Sequence, residues 1–108
     1  MNKYAKLRDD LAAAVRVGME AEAGEKDNGS CNFDAPSLYL PRWLSNEIKQ
    51  AARLAGTRAD EWIYRDVKAW IFEPKTTGQA HRRTVNAEAM CHELQKRGYT
   101  ASMYYRMD

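Results

Sequence analysis

Near the start of the chain Tyr4, Leu7, Leu11, Ala14, Val15, Gly18 and Met19 recur at three- and four-residue steps. That spacing lines one face of an α-helix, so residues 3 to about 23, rich in alanine and charge, are predicted to form an amphipathic helix. Its apolar face has to be covered by the remainder of the chain. With 108 residues in all, the chain is expected to form a single domain (1–108) with one modest core. A deep cleft is not expected within one copy, so a sizeable ligand would most easily bind between copies.

The rest of the chain alternates between loop, strand and helix signals. GEKDNGSCNFDAP, residues 24–36, is dense in Gly, Asn, Asp and Ser and reads as a loop with a tight turn at Asn28-Gly29. Ser37 to Leu40 is a short strand stopped by Pro41. That proline suits the first position of a helix running to about Leu54, with Trp43, Leu44, Ile48 and Ala52 inward and Gly56 just past its end. Trp62 to Phe72 fits two periods: Ile63, Val67, Trp70 and Ile71 suit a helix, whereas Trp62/Tyr64 and Val67/Ala69/Ile71 alternate. Its aromatic and β-branched content favours strand, as one element or two.

After a polar loop over residues 73–81, a helix is expected from an N-cap at Thr84 or Asn86 to Arg97. It turns Met90, Cys91 and Leu94 inward and ends at Gly98. The closing TASMYYRM alternates, with Ala101, Met103, Tyr105 and Met107 on one side and Thr100, Ser102, Tyr104 and Arg106 on the other. This order predicts an α+β (or small α/β) fold, an N-terminal helix followed by β-α-β-α-β around a three- to four-stranded sheet. So small a sheet leaves an edge that another copy can cover, and a homodimer or higher homo-oligomer is expected.

Composition narrows the function classes. A formal net charge of +2 is too small to predict nucleic-acid binding. The charge is unevenly spread: residues 1–36 hold five Lys/Arg against seven Asp/Glu, and residues 37–108 hold twelve against eight. Cys31 and Cys91 are far apart, with no C-x-x-C and no Cys/His pair at finger spacing, so neither a metal site nor a disulfide framework is expected. MNKYAKLRDDL has no apolar run to serve as a signal peptide, and no stretch is long enough to span a bilayer, so a cytoplasmic protein without a membrane partner is expected. Asn28-Gly29-Ser30, which matches a glycosylation sequon, then reads as a turn.

Three constellations carry candidate chemistry. In GQAHRRTVNAEAM, residues 78–90, His81, Arg82 and Arg83 stand where a helix start prefers negative charge. Arg82, Arg83, Thr84 and Asn86 with free helix-end N–H groups would suit a phosphate; alternatively the arginines are solvated or paired with a carboxylate elsewhere. In DNGSCNFD, residues 27–34, Asn28 and its polar neighbours could bond a base or ribose with Phe33 stacked on it, or simply cap their own turn while Phe33 anchors the loop. Tyr104 and Arg106 project on one side of the last strand, with Asp108 following, and either hold a purine and its phosphate or lie on an exposed face. No cofactor fingerprint, nucleophile elbow or metalloprotease motif occurs. Cys91 and His92 are adjacent on one helix and face different ways, so the chain is read as non-catalytic.

With DNGSCNFD before a short strand, RRTVNAEAM opening a late helix and ASMYYRMD closing the chain, the sequence resembles small phage proteins, specifically the first type of Thoeris anti-defence sponges. The resemblance implies a non-enzymatic phage protein, needing no cofactor, that binds and sequesters a cyclic ADP-ribose isomer in the host bacterial cytoplasm; some members also bind cyclic oligonucleotides. It implies a ligand near a subunit boundary, with Arg82, Arg83, Asn86 and Arg106 as the carried-over positions and Asp27 and Asp34 beside them. Three other readings remain: an anti-CRISPR-like inhibitor that uses outward aromatics such as Trp62 or Tyr104 against a host complex, a nucleic-acid-binding accessory protein using Arg82, Arg83 and Arg106, and an enzyme that degrades a nucleotide and returns it altered.

Overall fold

The computed structural model describes residues 2–108. Its elements run α1 (Lys3–Glu22), β1 (Ala35–Leu38), α2 (Ser45–Ala55), β2 (Ala59–Tyr64), β3 (Val67–Phe72), α3 (His81–Lys96) and β4 (Ala101–Tyr104). The strands form one antiparallel sheet in the order β2-β3-β1-β4. The fold is thus α+β with an N-terminal helix, and the fourth strand arises because Trp62–Phe72 is a hairpin of two strands.

A single core forms between the helices and one face of the sheet. Leu7, Leu11 and Ala14 of α1, Ile48 and Ala52 of α2, and Met90 and Leu94 of α3 meet Leu38, Trp70 and Phe72 there. Because strand side chains alternate, sending Leu38, Trp70 and Phe72 to the helices sends Ser37, Ala69 and Ile71 to the opposite face. No helix covers that second face.

Several boundaries differ from the expectation; β2 already begins at Ala59 rather than at Trp62, and β4 spans only Ala101–Tyr104. Helix α2 begins at Ser45 rather than at Pro41, because Leu40–Trp43 closes a tight turn in which Trp43 N–H donates to Leu40 O at 3.3 Å and Arg42 takes φ +65°. Leu44, expected inward, is therefore exposed, while Trp43 packs edge-on against Tyr4. Gly56, in the left-handed region at φ +88°, does end α2 as expected. Strand β1 runs from Ala35 to Leu38 rather than from Ser37 to Leu40, since β4 pairs with Ala35 and Pro36 as well as with Ser37 and Leu38. Helix α3 starts at His81 with Ala80 as an N-cap that bonds nothing through its side chain. Thr84 and Asn86 lie inside the helix, because a carboxylate from the loop between α1 and β1 already does the capping. No helix among the described residues is long and apolar enough to cross a membrane.

Candidate functional site

The carboxylate that meets the start of α3 belongs to Asp27. It accepts from the backbone N–H groups of Gln79 and Ala80, both at 3.0 Å, and of Arg82 at 3.2 Å. The Gln79 N–H bond is the largest influence holding the Asp27 carboxyl below its ordinary range, and those of Ala80 and Arg82 add to it. The Arg82 guanidinium is likewise taken up within the chain: it donates to Glu22 Oε2 at 3.0 Å, to the Glu25 carbonyl at 3.1 Å and to Thr77 Oγ1 at 3.0 Å. Burial pushes Glu22 up, but hydrogen bonds from Asn86, Arg82 and the Thr77 backbone outweigh it and leave the carboxyl below its ordinary range. The Arg82 side chain and the backbone at the helix start thus meet two anions supplied by the protein, Glu22 and Asp27.

The three constellations singled out in the sequence do meet, and they meet by bonding to one another around Asp34. Thr84 Oγ1 donates to Asp34 Oδ2 at 2.8 Å, Arg83 Nε to the Asp34 carbonyl at 3.0 Å, and Arg106 N–H to Asp34 Oδ1 at 2.9 Å. Phe33 N–H returns a bond to the Arg106 carbonyl at 2.7 Å, yet its ring is exposed rather than anchored in the core. The Asn28 carbonyl accepts from His81 N–H, and Asp108 N–H donates to the Cys31 carbonyl. Asn86 is wholly buried and bridges Glu22 Oε1, at 2.6 Å, to the Lys75 carbonyl at 2.8 Å. Arg82, Arg83, Thr84 and Asn86 through their side chains, and Asn28, Phe33 and Asp108 through their backbone, therefore take part in joining loops to α3 and to the chain's end. The Tyr104 and Arg106 side chains instead bond each other on the helix-free face.

That face carries the aromatic surface. Ser37, Ala69 and Ser102 form a floor of small side chains, walled by Tyr39, Trp62 and Tyr64, in a depression of about 370 Å³. The floor follows from register: Ser37 pairs with Ser102, their hydroxyls 3.1 Å apart, and Ala69 lies opposite Trp62. The Trp62 ring stacks on Tyr64 with centroids 5.6 Å apart and meets Tyr104 edge-on at 5.0 Å. In a flat sheet β2 and β4 would stand three strand spacings apart, about 14 Å. The contact between their side chains therefore bridges the curled sheet. Cations stand near both ends of this aromatic row: the Arg65 guanidinium lies 5.2 Å from the Tyr64 centroid, and Arg106 Nη1 donates to Tyr104 OH at 3.2 Å.

Tyr39, Tyr64 and Arg65 were not legible as site residues. Trp62 and Tyr64 are visibly alternate in the sequence, but the small residues that make room beneath them come from three different strands. Comparison with protein-family models, curated proteins and solved structures finds no match for this chain. Fold and site together define an α+β protein whose helices cover one sheet face and whose other face is an aromatic-lined depression.

Proposed function

We propose that this protein is a non-catalytic binder that sequesters a cyclic nucleotide on the open face of its sheet. The observation that carries the reading is the row Tyr64-Trp62-Tyr104 over a floor of serines and alanine, with an arginine near either end. Aromatic faces stack any nucleobase, at about 1–3 kcal/mol per base. Small hydroxyl residues suit ribose, and guanidinium forks suit phosphate. A cyclic ADP-ribose isomer, the ligand implied by the resemblance to Thoeris anti-defence proteins, combines all three groups, and cyclic oligonucleotides present the same ones. Sequestration asks for tight binding and slow release rather than for complementarity to a transition state.

A second reading has its own observation. Ile63, Tyr64 and Val67 are exposed at the tip of the β2–β3 hairpin, as aromatic and aliphatic side chains are in protein interfaces. On that reading the face meets a second copy of the chain or a host complex, as an anti-CRISPR-like inhibitor would.

Calorimetric titration with cyclic ADP-ribose isomers, cyclic di- and trinucleotides and short single-stranded DNA separates the two. The nucleotide reading expects one cyclic species to bind, to be recovered unaltered after denaturation, and to lose at least about tenfold in affinity in Trp62→Ala, in line with one lost stacking contact. Silence across the panel, or equal affinity in Trp62→Ala, sinks it and favours the protein interface.

A further inference from the structure

Among the described residues, Arg42, Arg65 and Asp66 are the non-glycine positions with left-handed backbone, at φ +65°, +50° and +65°. Glycine and asparagine are the usual occupants of that region, because a Cβ crowds the following carbonyl. At Tyr64–Val67 the requirement is doubled: a two-residue hairpin turn with positive φ at both central positions favours Asn-Gly, and this chain has Arg65-Asp66. At Leu40–Trp43 a turn following Pro41 favours glycine where Arg42 stands. Two arginines thus occupy positions that the backbone disfavours, which points to a benefit outside the backbone.

The two turns stand side by side. Arg42 and Trp43 of one turn and Asp66 and Val67 of the other, with Tyr39 and Lys68, line a second depression of about 280 Å³. It shares Tyr39 and Val67 with the aromatic depression, which Arg65 lines, and so continues it. Four other arginines, Arg8, Arg58, Arg82 and Arg97, are paired with carboxylates, while among the described residues Arg16, Arg53, Arg83 and Arg106 are not. Arg42 and Arg65 have no such pair among the described residues. Lys68 is 3.9 Å from Glu61, and Asp66 adds the one carboxylate on the turns themselves.

Resting on the reading of the open face given above, we propose that Arg42 and Arg65 are the phosphate-binding end of that site. Its occupant is then an anionic nucleotide with its base among Trp62, Tyr64 and Tyr104 and its phosphates between the two turns. A phosphate gains charge-assisted bonds from both forks, which offsets the left-handed conformation the arginines hold. The Asp66 carboxylate opposes an anion there and limits the affinity.

The test uses the full chain with ADP, cyclic ADP-ribose and adenosine as probes, on wild type, Arg42→Gly, Arg65→Gly, the double variant, Asp66→Asn and Trp62→Ala. Glycine accepts the left-handed backbone, so the arginine variants are expected to melt no lower than wild type. Wild type is expected to prefer ADP over adenosine by at least tenfold, the double variant to lose that preference while still binding adenosine, and Asp66→Asn to strengthen it. Trp62→Ala is expected to weaken every probe. An undiminished ADP preference in the double variant, or a lower melting temperature in both glycine variants, overturns the phosphate assignment while leaving the aromatic face standing. If Trp62→Ala alone has no effect, the face reading fails instead; wild type that binds none of the probes overturns both.

Discussion

A methyl group on Gly18 would collide with Asn86 Oδ1 and stand 2.9 Å from Met90 Cγ. Asn86 has nowhere to turn, since its amide nitrogen is held by Glu22 and by the Lys75 carbonyl in a wholly buried setting. Gly18→Ala should therefore overpack the α1–α3 contact and cost about 1–3 kcal/mol. A urea titration would read this as a lower midpoint, and an unchanged midpoint would mean that the two helices slide apart freely. In the sequence Gly18 counts only as one member of a periodic apolar face; that α3 approaches closely enough there to need a bare backbone depends on a partner 68 positions away in the chain. Arg82 and Arg83 show the same limit. Their odd placement at a helix start was legible and posed the right question, but Glu22 and Asp27, the carboxylates that meet Arg82, and the Asp34 carbonyl that meets Arg83 come from outside the segment that raises it.

Among the elements, α3 depends most on distant residues for its start. Its first backbone donors bond the Asp27 carboxylate, and no side chain at Ala80 substitutes for it. In Asp27→Ala the amides of Gln79, Ala80 and Arg82 should exchange with solvent faster, while those of β1 and β3 keep their protection. Uniform loss of protection would instead mean that the cap holds the whole fold. Helix α1 was readable almost to the residue because its period and its alanines agree, and the structure adds a cap, Asn2 Oδ1 accepting from Ala5 N–H at 2.8 Å. The α3 boundary was misread because Thr84 and Asn86 have capping chemistry that tertiary contacts use otherwise. The β2–β3 hairpin stayed ambiguous because Arg65-Asp66 lacks the Asn-Gly or Asp-Gly pair that marks a two-residue turn, so strand content was evident and the reversal was not.

At the scale of the molecule, the assembly of the open face depends on pairings between strands distant in sequence, and the tightening of the helical layer depends on buried carboxylates that tie its parts together. Glu22 links α1 to α3 and to the loop before it, and Asp10 accepts from Lys6 at 2.6 Å, Tyr99 at 2.7 Å and Arg97 at 3.0 Å. Burial raises the Asp10 carboxyl, as it does Glu22, and in both the hydrogen bonds outweigh it, so both titrate below their ordinary values of 3.8 and 4.5. A carboxyl depressed in the folded state contributes stability that is fully present above its unfolded value and is lost as pH falls through the folded one. Unfolding free energy should therefore be nearly constant from about pH 7 to about pH 5 and fall progressively below that, as these groups take up protons. Glu22→Gln should cost about 2 kcal/mol at neutral pH, by weakening bonds to the partly buried Arg82, and should flatten the acid limb. On the alkaline side the sign reverses. The hydrogen bond to Glu88 pushes Tyr105 up to about 12, and burial followed by the Asp10 bond raises Tyr99 further. Their contribution is present below the ordinary tyrosine value of 10.0 and is lost as pH climbs through the raised values. Denaturant titrations of wild type and Glu22→Gln across this range check both limbs: an equally steep acid limb in the variant would remove Glu22 as a source of the dependence and place it with Asp10 and the remaining carboxylates.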